Sequence, residues 1–209
     1  MFLEGIKMST LRLGILASGR GSNLQSIMDA AAAGKIGAKV AVVISDNKDA
    51  FALERARMAG IPAEYVGPGD YAARDDYERA ILDILKQNEV NLVCLAGYMR
   101  LVGRVILDAY CNRIMNIHPA LLPAFPGLHG QEQALEYGVK FSGCTVHFVD
   151  DGMDTGPIIL QAVVPVYDED TAGSLAARIL EQEHIIYPEA IRLYAGGRLK
   201  VRGRKVLTT

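Results

Sequence analysis

The chain has 209 residues, and 22 basic against 24 acidic side chains leave a net charge of −2. Half of the residues are apolar, 22% are charged and 7% are aromatic, which excludes a disordered or fibrous chain and allows one domain with a sizeable core. The balanced charge argues against a protein that holds nucleic acid by bulk electrostatics, and no run approaches the roughly 20 apolar residues of a membrane-spanning helix. The opening MFLEGIKMSTLRLGILASG has no basic leader before its apolar part, so it reads poorly as a secretory signal. Cys94, Cys111 and Cys144 are odd in number and far apart, without a CxxC pair, so neither a disulfide framework nor a zinc site is suggested. Cys94 and Cys144 lie in strand-like runs and read as buried free thiols, which fits a cytoplasmic protein.

In chain order, the apolar run 11–17 reads as a buried strand and 23–34 as a helix. Residues 39–45 form a second strand, followed by a helix over 51–60 with Asp49 as its cap and Gly60 as its stop. A third strand is expected at 63–66. Over 74–88, Tyr77, Ile81, Ile84 and Leu85 share one helical stripe. Residues 91–97 give a fourth buried strand and 113–119 a fifth. Apolar strands without polar alternation, separated by helices, predict a parallel sheet covered by helices on both faces. After a Pro-punctuated loop (119–130) the style changes. Residues 143–150 and 157–166 read as an antiparallel pair, and a long helix runs from Thr171 to about Tyr194. Pro188 is expected to kink or break that helix. The basic tail 198–205 reads as a solvated terminal strand.

Three segments can carry chemistry. The first is SGRGSN, Ser18 to Asn23, in the turn between the first strand and the first helix. Its glycines expose backbone N–H groups at a helix N-terminus, where donors and dipole suit a phosphate; Ser22 or Asn23 can donate as well or cap the helix. A tight turn without a ligand is the alternative. A Walker loop fails because Arg20 and Gly21 follow Gly19, and the dinucleotide fingerprint fails at Leu24, although Asp46 stands where a ribose-binding acid would. The second is Asn116-Ile117-His118-Pro119. Residues two apart share a strand face, and Pro119 ends the strand, so Asn116 and His118 point together at its carboxyl end. An amide beside an imidazole suits acyl transfer, with one group stabilising an oxyanion and the other moving a proton. A satisfied core histidine is the alternative.

The third segment is the acidic loop Asp150 to Pro157, read either as a plain turn or as the source of a carboxylate that orients His118. It lacks the length and terminal Glu of a calcium loop. His129 reads as solvent-facing, His147 as lining the site or packing in the core, and His184 as a helix residue beside Glu183. Without HExxH or GxSxG, neither a metal nor a serine nucleophile is expected.

SGRGSNLQ, DAFALERARMAGI, LAGYMR, NIHPALLPAFPGLHG, VHFVDDGMDTGPIILQ and QEHIIYP follow one another in this order. Together they resemble the phosphoribosylglycinamide formyltransferase family, from about Leu11 to Leu199. The resemblance implies a Rossmann-like, mostly parallel sheet with helices on both faces, in one formyltransferase domain over 1–209, with a nucleotide-binding half at about 11–110 and a catalytic and folate-binding half at about 111–209. It implies catalytic roles for Asn116, His118 and Asp154. Gly21, Ser22 and Asn23 would hold the phosphate of glycinamide ribonucleotide, and Glu183 its ribose. Arg74, Met99, Arg100, Leu101, Val102, Asn116, Asp150 and Asp154 would contact 10-formyltetrahydrofolate. The implied partners are these two small molecules, with neither nucleic acid nor membrane, and a homodimer is left open. The chain departs from familiar members at Ala124, at Gly130-Gln131-Glu132, and in about ten residues before the first strand, where Met8 offers a second start.

The implied reaction is formyl transfer from the folate to the nucleotide amine in purine synthesis. A hydrolase of 10-formyltetrahydrofolate and methionyl-tRNA formyltransferase share the trio, but no stretch here reads as the extra regulatory or RNA-binding domain of either. Outside this class, a dinucleotide oxidoreductase is opposed by Leu24, and a non-catalytic nucleotide-binding module by the meeting of Asn116, His118 and an acidic loop.

Overall fold

The computed structural model describes residues 10–209, so the alternative starts at Met1 and Met8 lie outside the described residues. The elements are β1 (Leu11–Leu16), α1 (Ser22–Ala32), β2 (Ala38–Ser45), α2 (Phe51–Met58), β3 (Ala63–Tyr65), α3 (Arg74–Gln87), β4 (Leu92–Leu95), α4 (Arg104–Ala109) and β5 (Ile114–His118). They continue with α5 (Gly130–Tyr137), β6 (Phe141–Phe148), β7 (Ile158–Pro165), α6 (Ala172–Ala195), β8 (Leu199–Arg202) and β9 (Lys205–Thr208). One sheet holds the strands in the order β3-β2-β1-β4-β5-β6-β7-β9-β8. The first five are mutually parallel, and β6 and β7 continue antiparallel.

The parallel strands are apolar on both faces because both are covered. On one face Leu13, Ile15, Cys94, Met115 and Val146 pack against Leu24 and Ile27 of α1 and Leu175, Ile179 and Ile191 of α6. On the other, Leu16, Val42, Ile44, Val93 and Ile114 pack against Tyr77, Ile81 and Leu85 of α3 and Ile106 of α4. Removing any of these larger side chains costs about 2–5 kcal/mol, the usual penalty of a core cavity. The fully buried Tyr187 hydroxyl lies 3.0 Å from the carbonyls of both Leu95 and Met115. It ties the carboxyl ends of β4 and β5 together, beside Asn116.

Two expectations are corrected. The break at Pro188 does not occur: α6 is continuous through it, with Pro188 buried. A proline interior to a helix costs about 3 kcal/mol, and the apolar face of α6 against the sheet outweighs that. Nor does Asp49 cap α2. Ala50 occupies the cap position without a side-chain bond, while the Asp49 N–H donates to Asn47 Oδ1 at 3.0 Å. The basic tail forms a hairpin, β8–β9, that joins the sheet edge beside β7. Among the described residues no helix is long and apolar enough to cross a membrane.

Candidate active site

The sheet reverses its winding between β1 and β4, and the loops after these strands open a crevice at their carboxyl ends, where open α/β sheets bind ligands. The two loops are laced together. The Ser18 N–H donates to the Gly97 carbonyl at 3.0 Å, and the Met99 N–H to Ser18 Oγ at 2.9 Å. Gly21 starts α1 at φ +69°, and a Cβ there would sit 2.9 Å from the Ala52 Cα, so only glycine serves both the turn and the contact with α2. No side chain caps α1. Its first N–H groups, those of Ser22 and Asn23, therefore remain donors at a positive helix end. Asn23 is buried and its Nδ2 donates to Glu183 Oε2 at 2.7 Å, which brings the two predicted nucleotide contacts together.

At the end of β5, Asn116 and His118 converge with the loop after β6. Asp154 Oδ2 is 3.4 Å from His118 Nδ1, and Oδ1 is 3.5 Å from Asn116 Nδ2. His118 is 4% exposed, so the ring is withdrawn from solvent. Its Nε2 donates to the Phe125 carbonyl at 2.8 Å, because a carbonyl only accepts. Both ring nitrogens thus face acceptors. Asp154 stands at φ +54° and takes a 2.8 Å bond from the Gly127 N–H. Burial alone would raise its carboxyl, but the side chain of His147, the Gly127 N–H and the charge of His118 outweigh burial and hold it below the usual carboxylate range.

His147, which strand alternation left between site and core, belongs to this cluster. Its Nδ1 donates to the Phe148 carbonyl at 2.8 Å, and its Nε2 lies 3.2 Å from Asn116 Nδ2 and 3.6 Å from Asp154 Oδ1, so the ring sits against both partners. The Phe125 carbonyl and the Gly127 N–H were invisible to the sequence, since backbone groups carry no residue signature.

Of the remaining predicted residues, Arg74, Met99, Arg100 and Leu101 line a cavity of about 460 Å³ together with Tyr77 and Glu78, whereas Val102 and Asp150 are not part of its lining. Arg100 lies over the Tyr77 ring, 5.7 Å from its centroid, and the Tyr77 hydroxyl meets that of Tyr98 at 2.6 Å. Asp150 turns inward on its own loop, where Oδ1 accepts from the Thr155 hydroxyl at 2.6 Å and the Gly152 N–H at 3.1 Å. Arg104 bonds Asp151 at 2.8 Å and links that loop to the start of α4. Cys94 and Cys144 are buried and their thiols are pushed up to about 12 by burial, which makes them poor nucleophiles; Cys111 is exposed. Among the described residues no group of three or more His, Cys, Asp or Glu side chains is placed to hold a metal.

The formyl transferase family model matches residues 11–191. Over 188 residues the chain is 46% identical to the trifunctional purine biosynthetic protein adenosine-3 of Drosophila melanogaster, covering 89% of this chain but only 14% of that relative's length. It is 46% identical over 187 residues to phosphoribosylglycinamide formyltransferase of Escherichia coli (strain K12), covering 90% of this chain and 88% of that protein. It also superposes on the crystal structure of glycinamide ribonucleotide transformylase 1 from Symbiobacterium toebii. That match has a TM-score of 0.94 and 57% identity, and covers 95% of this chain and 94% of the other. By its sheet and by matches of this length, the chain belongs to the formyl transferase family, alongside the phosphoribosylglycinamide formyltransferases.

Proposed function

We propose that this chain transfers the formyl group of 10-formyltetrahydrofolate to the amine of glycinamide ribonucleotide, acting as one formyltransferase unit. Its first half, about 11–110, binds the nucleotide, and its second, about 111–209, carries the reacting groups and takes the folate. The observation that supports this best is the meeting of Asn116 and His118 at the Asp154 carboxylate, each within 3.5 Å of one of its oxygens, beside the crevice of the sheet.

The N–H groups of Gly21, Ser22 and Asn23 hold the phosphate, and Glu183, fixed by Asn23, takes the ribose hydroxyls. Arg74 and the run Met99, Arg100, Leu101, Val102 form the folate surface, and the loop Asp150 to Asp154 closes on the pteridine. The nucleotide amine attacks the formyl carbon, a new C–N bond forms, and the carbonyl electron pair moves onto oxygen. Asn116 Nδ2–H and a ring N–H of His118, released from the Phe125 carbonyl, donate to that oxyanion. Each such donor lowers the barrier by up to a few kcal/mol. Asp154, anionic, compensates the charge on the imidazole. As the intermediate collapses, the bond from carbon to the folate nitrogen breaks. That nitrogen gains a proton and the former amine loses one. Holding both substrates in contact supplies much of the remaining acceleration.

A steady-state assay with both substrates tests this reading. Deformylated folate should appear only when the nucleotide amine is present. Formate release without the amine would replace transfer by hydrolysis.

A further inference from the structure

Glu78 sits one turn into α3 and is 2% exposed. Its Oε1 accepts from Arg74 Nε at 2.9 Å and from the backbone N–H of Gly103 at 2.7 Å. The same guanidinium donates through Nη2 to the Leu101 carbonyl at 2.8 Å. One buried carboxylate therefore ties the first turn of α3 to the loop that follows β4. Arg74 keeps 56% of its side chain exposed, so its charge stays open to an anionic group in the cavity.

Two further facts show that this carboxylate is built in. A Cβ on Gly103 would come within 2.4 Å of Glu78 Oε1. The Gly103 φ of −101° suits any residue, so glycine is needed there for room and not for conformation. Glu78 Oε2, moreover, is buried without a partner among the described residues. A half-satisfied buried carboxylate weakens a core, and an apolar side chain would fill this place with less loss. What Glu78 contributes is the pose of a cation and of a loop.

We propose that Glu78 is a positioning residue for the formyl donor. It fixes the Arg74 guanidinium and the loop from Met99 to Val102 in the shape that grips the donor, without itself touching the reacting atoms. This rests on the reading of Arg74 and residues 99–102 as the donor surface. The carboxylate is needed for its charge and its reach. Gln keeps an acceptor but loses the charge-assisted bond to Arg74, and Ala loses both.

The test compares wild type with Glu78→Gln, Gly103→Ala and Arg74→Ala, alone and combined with Glu78→Gln, varying each substrate at saturation of the other. Loss of the charge-assisted bond should raise the KM for 10-formyltetrahydrofolate about tenfold in Glu78→Gln, with kcat and the nucleotide KM within about twofold. Gly103→Ala retains the carboxylate but pushes it aside, and should give the same donor-selective rise. In the Arg74→Ala background, Glu78→Gln should add less than about twofold, since the two changes share one interaction. An unchanged donor KM, or equal rises in both KM values, overturns the proposal. Should Glu78→Gln fail to fold, Gly103→Ala decides alone. Wild-type protein that transfers no formyl group would overturn the underlying reading instead.

Discussion

Asn23 Nδ2 donates to Glu183 Oε2 across 2.7 Å, although 160 positions separate them in the chain. The bond joins the first turn of α1 to the middle of α6, and both side chains are buried. Burial raises the Glu183 carboxyl above its usual range, only partly offset by the Asn23 bond. A carboxyl raised on folding binds protons more readily in the native state than in the unfolded one. Stability therefore falls as pH rises from the ordinary glutamate value through the raised native one, and the cost is complete above it. Glu183→Gln should stabilise the fold at pH 7 by on the order of 1 kcal/mol, since Gln keeps an acceptor for Asn23 without a buried charge. Urea unfolding at pH 7 and pH 4 checks this, and the advantage should vanish at the lower pH. On the proposed role of Glu183 the same variant should bind the nucleotide less tightly, as the ribose would lose an anionic partner.

The His118–Asp154 pair carries the sharpest catalytic expectation. On the proposed mechanism His118→Ala removes an oxyanion donor and should lower kcat by about 10²–10³-fold. Asp154→Asn removes the charge opposite His118 Nδ1 and should cost a similar factor. Both variants should unfold within a few degrees of wild type, because neither side chain belongs to the apolar core. Near-normal turnover in both would contradict the roles assigned. The depressed Asp154 carboxyl also sets an acid limb. Its contribution to stability is present above the ordinary aspartate value and is lost only as pH falls through the depressed native one. Activity should therefore survive below the pH at which an ordinary aspartate protonates, insofar as Asp154 limits it.

Asp154 holds its carboxylate in place by standing at φ +54°, in the left-handed region. Aspartate tolerates this better than alanine, and glycine better than either. Asp154→Ala should be less stable than Asp154→Gly by about 1 kcal/mol, although both lack the carboxylate and should be equally inactive. Thermal unfolding of the pair separates backbone strain from the lost charge.

The parallel strands were legible because burial on both faces writes an uninterrupted apolar run, as in β1, β2 and β4. Asn116 and His118 were legible because strand periodicity alone puts them side by side. The short helices were not. α4 buries only Ile106, too little to write a helical stripe, and α5 starts with glycine after His129 in a left-handed conformation. Pro188 does not break α6, because the local rule for proline ignores the apolar face that pins the helix to the sheet. Asp154 could be suspected but not placed, since its approach to His118 depends on a loop turn and on the Gly127 N–H. Glu78 wrote no signal at all. On a helix it reads as one more solvated acid, and only the fold reveals that Gly103 and Arg74 close over it.

The start of α6 offers a control that separates stability from chemistry. Thr171 Oγ1 accepts from the Ser174 N–H at 3.1 Å, and Ser174 Oγ accepts from the Thr171 N–H at 3.0 Å, a reciprocal capping box. Asp170 bonds both Nη atoms of Arg178, at 2.8 and 2.9 Å, which holds its carboxyl well below the usual range. Thr171→Ala leaves the Ser174 N–H without its acceptor and should cost about 1 kcal/mol in urea unfolding. Glu183 lies roughly three turns further along the helix, and the packing of Leu175 and Ile179 between them keeps its position. Turnover and both KM values should stay within about twofold of wild type, because a lost cap frays only the first turn. A large rise in the nucleotide KM would instead show that fraying reaches Glu183, and that the bond from Asn23 is too weak to hold the ribose site by itself.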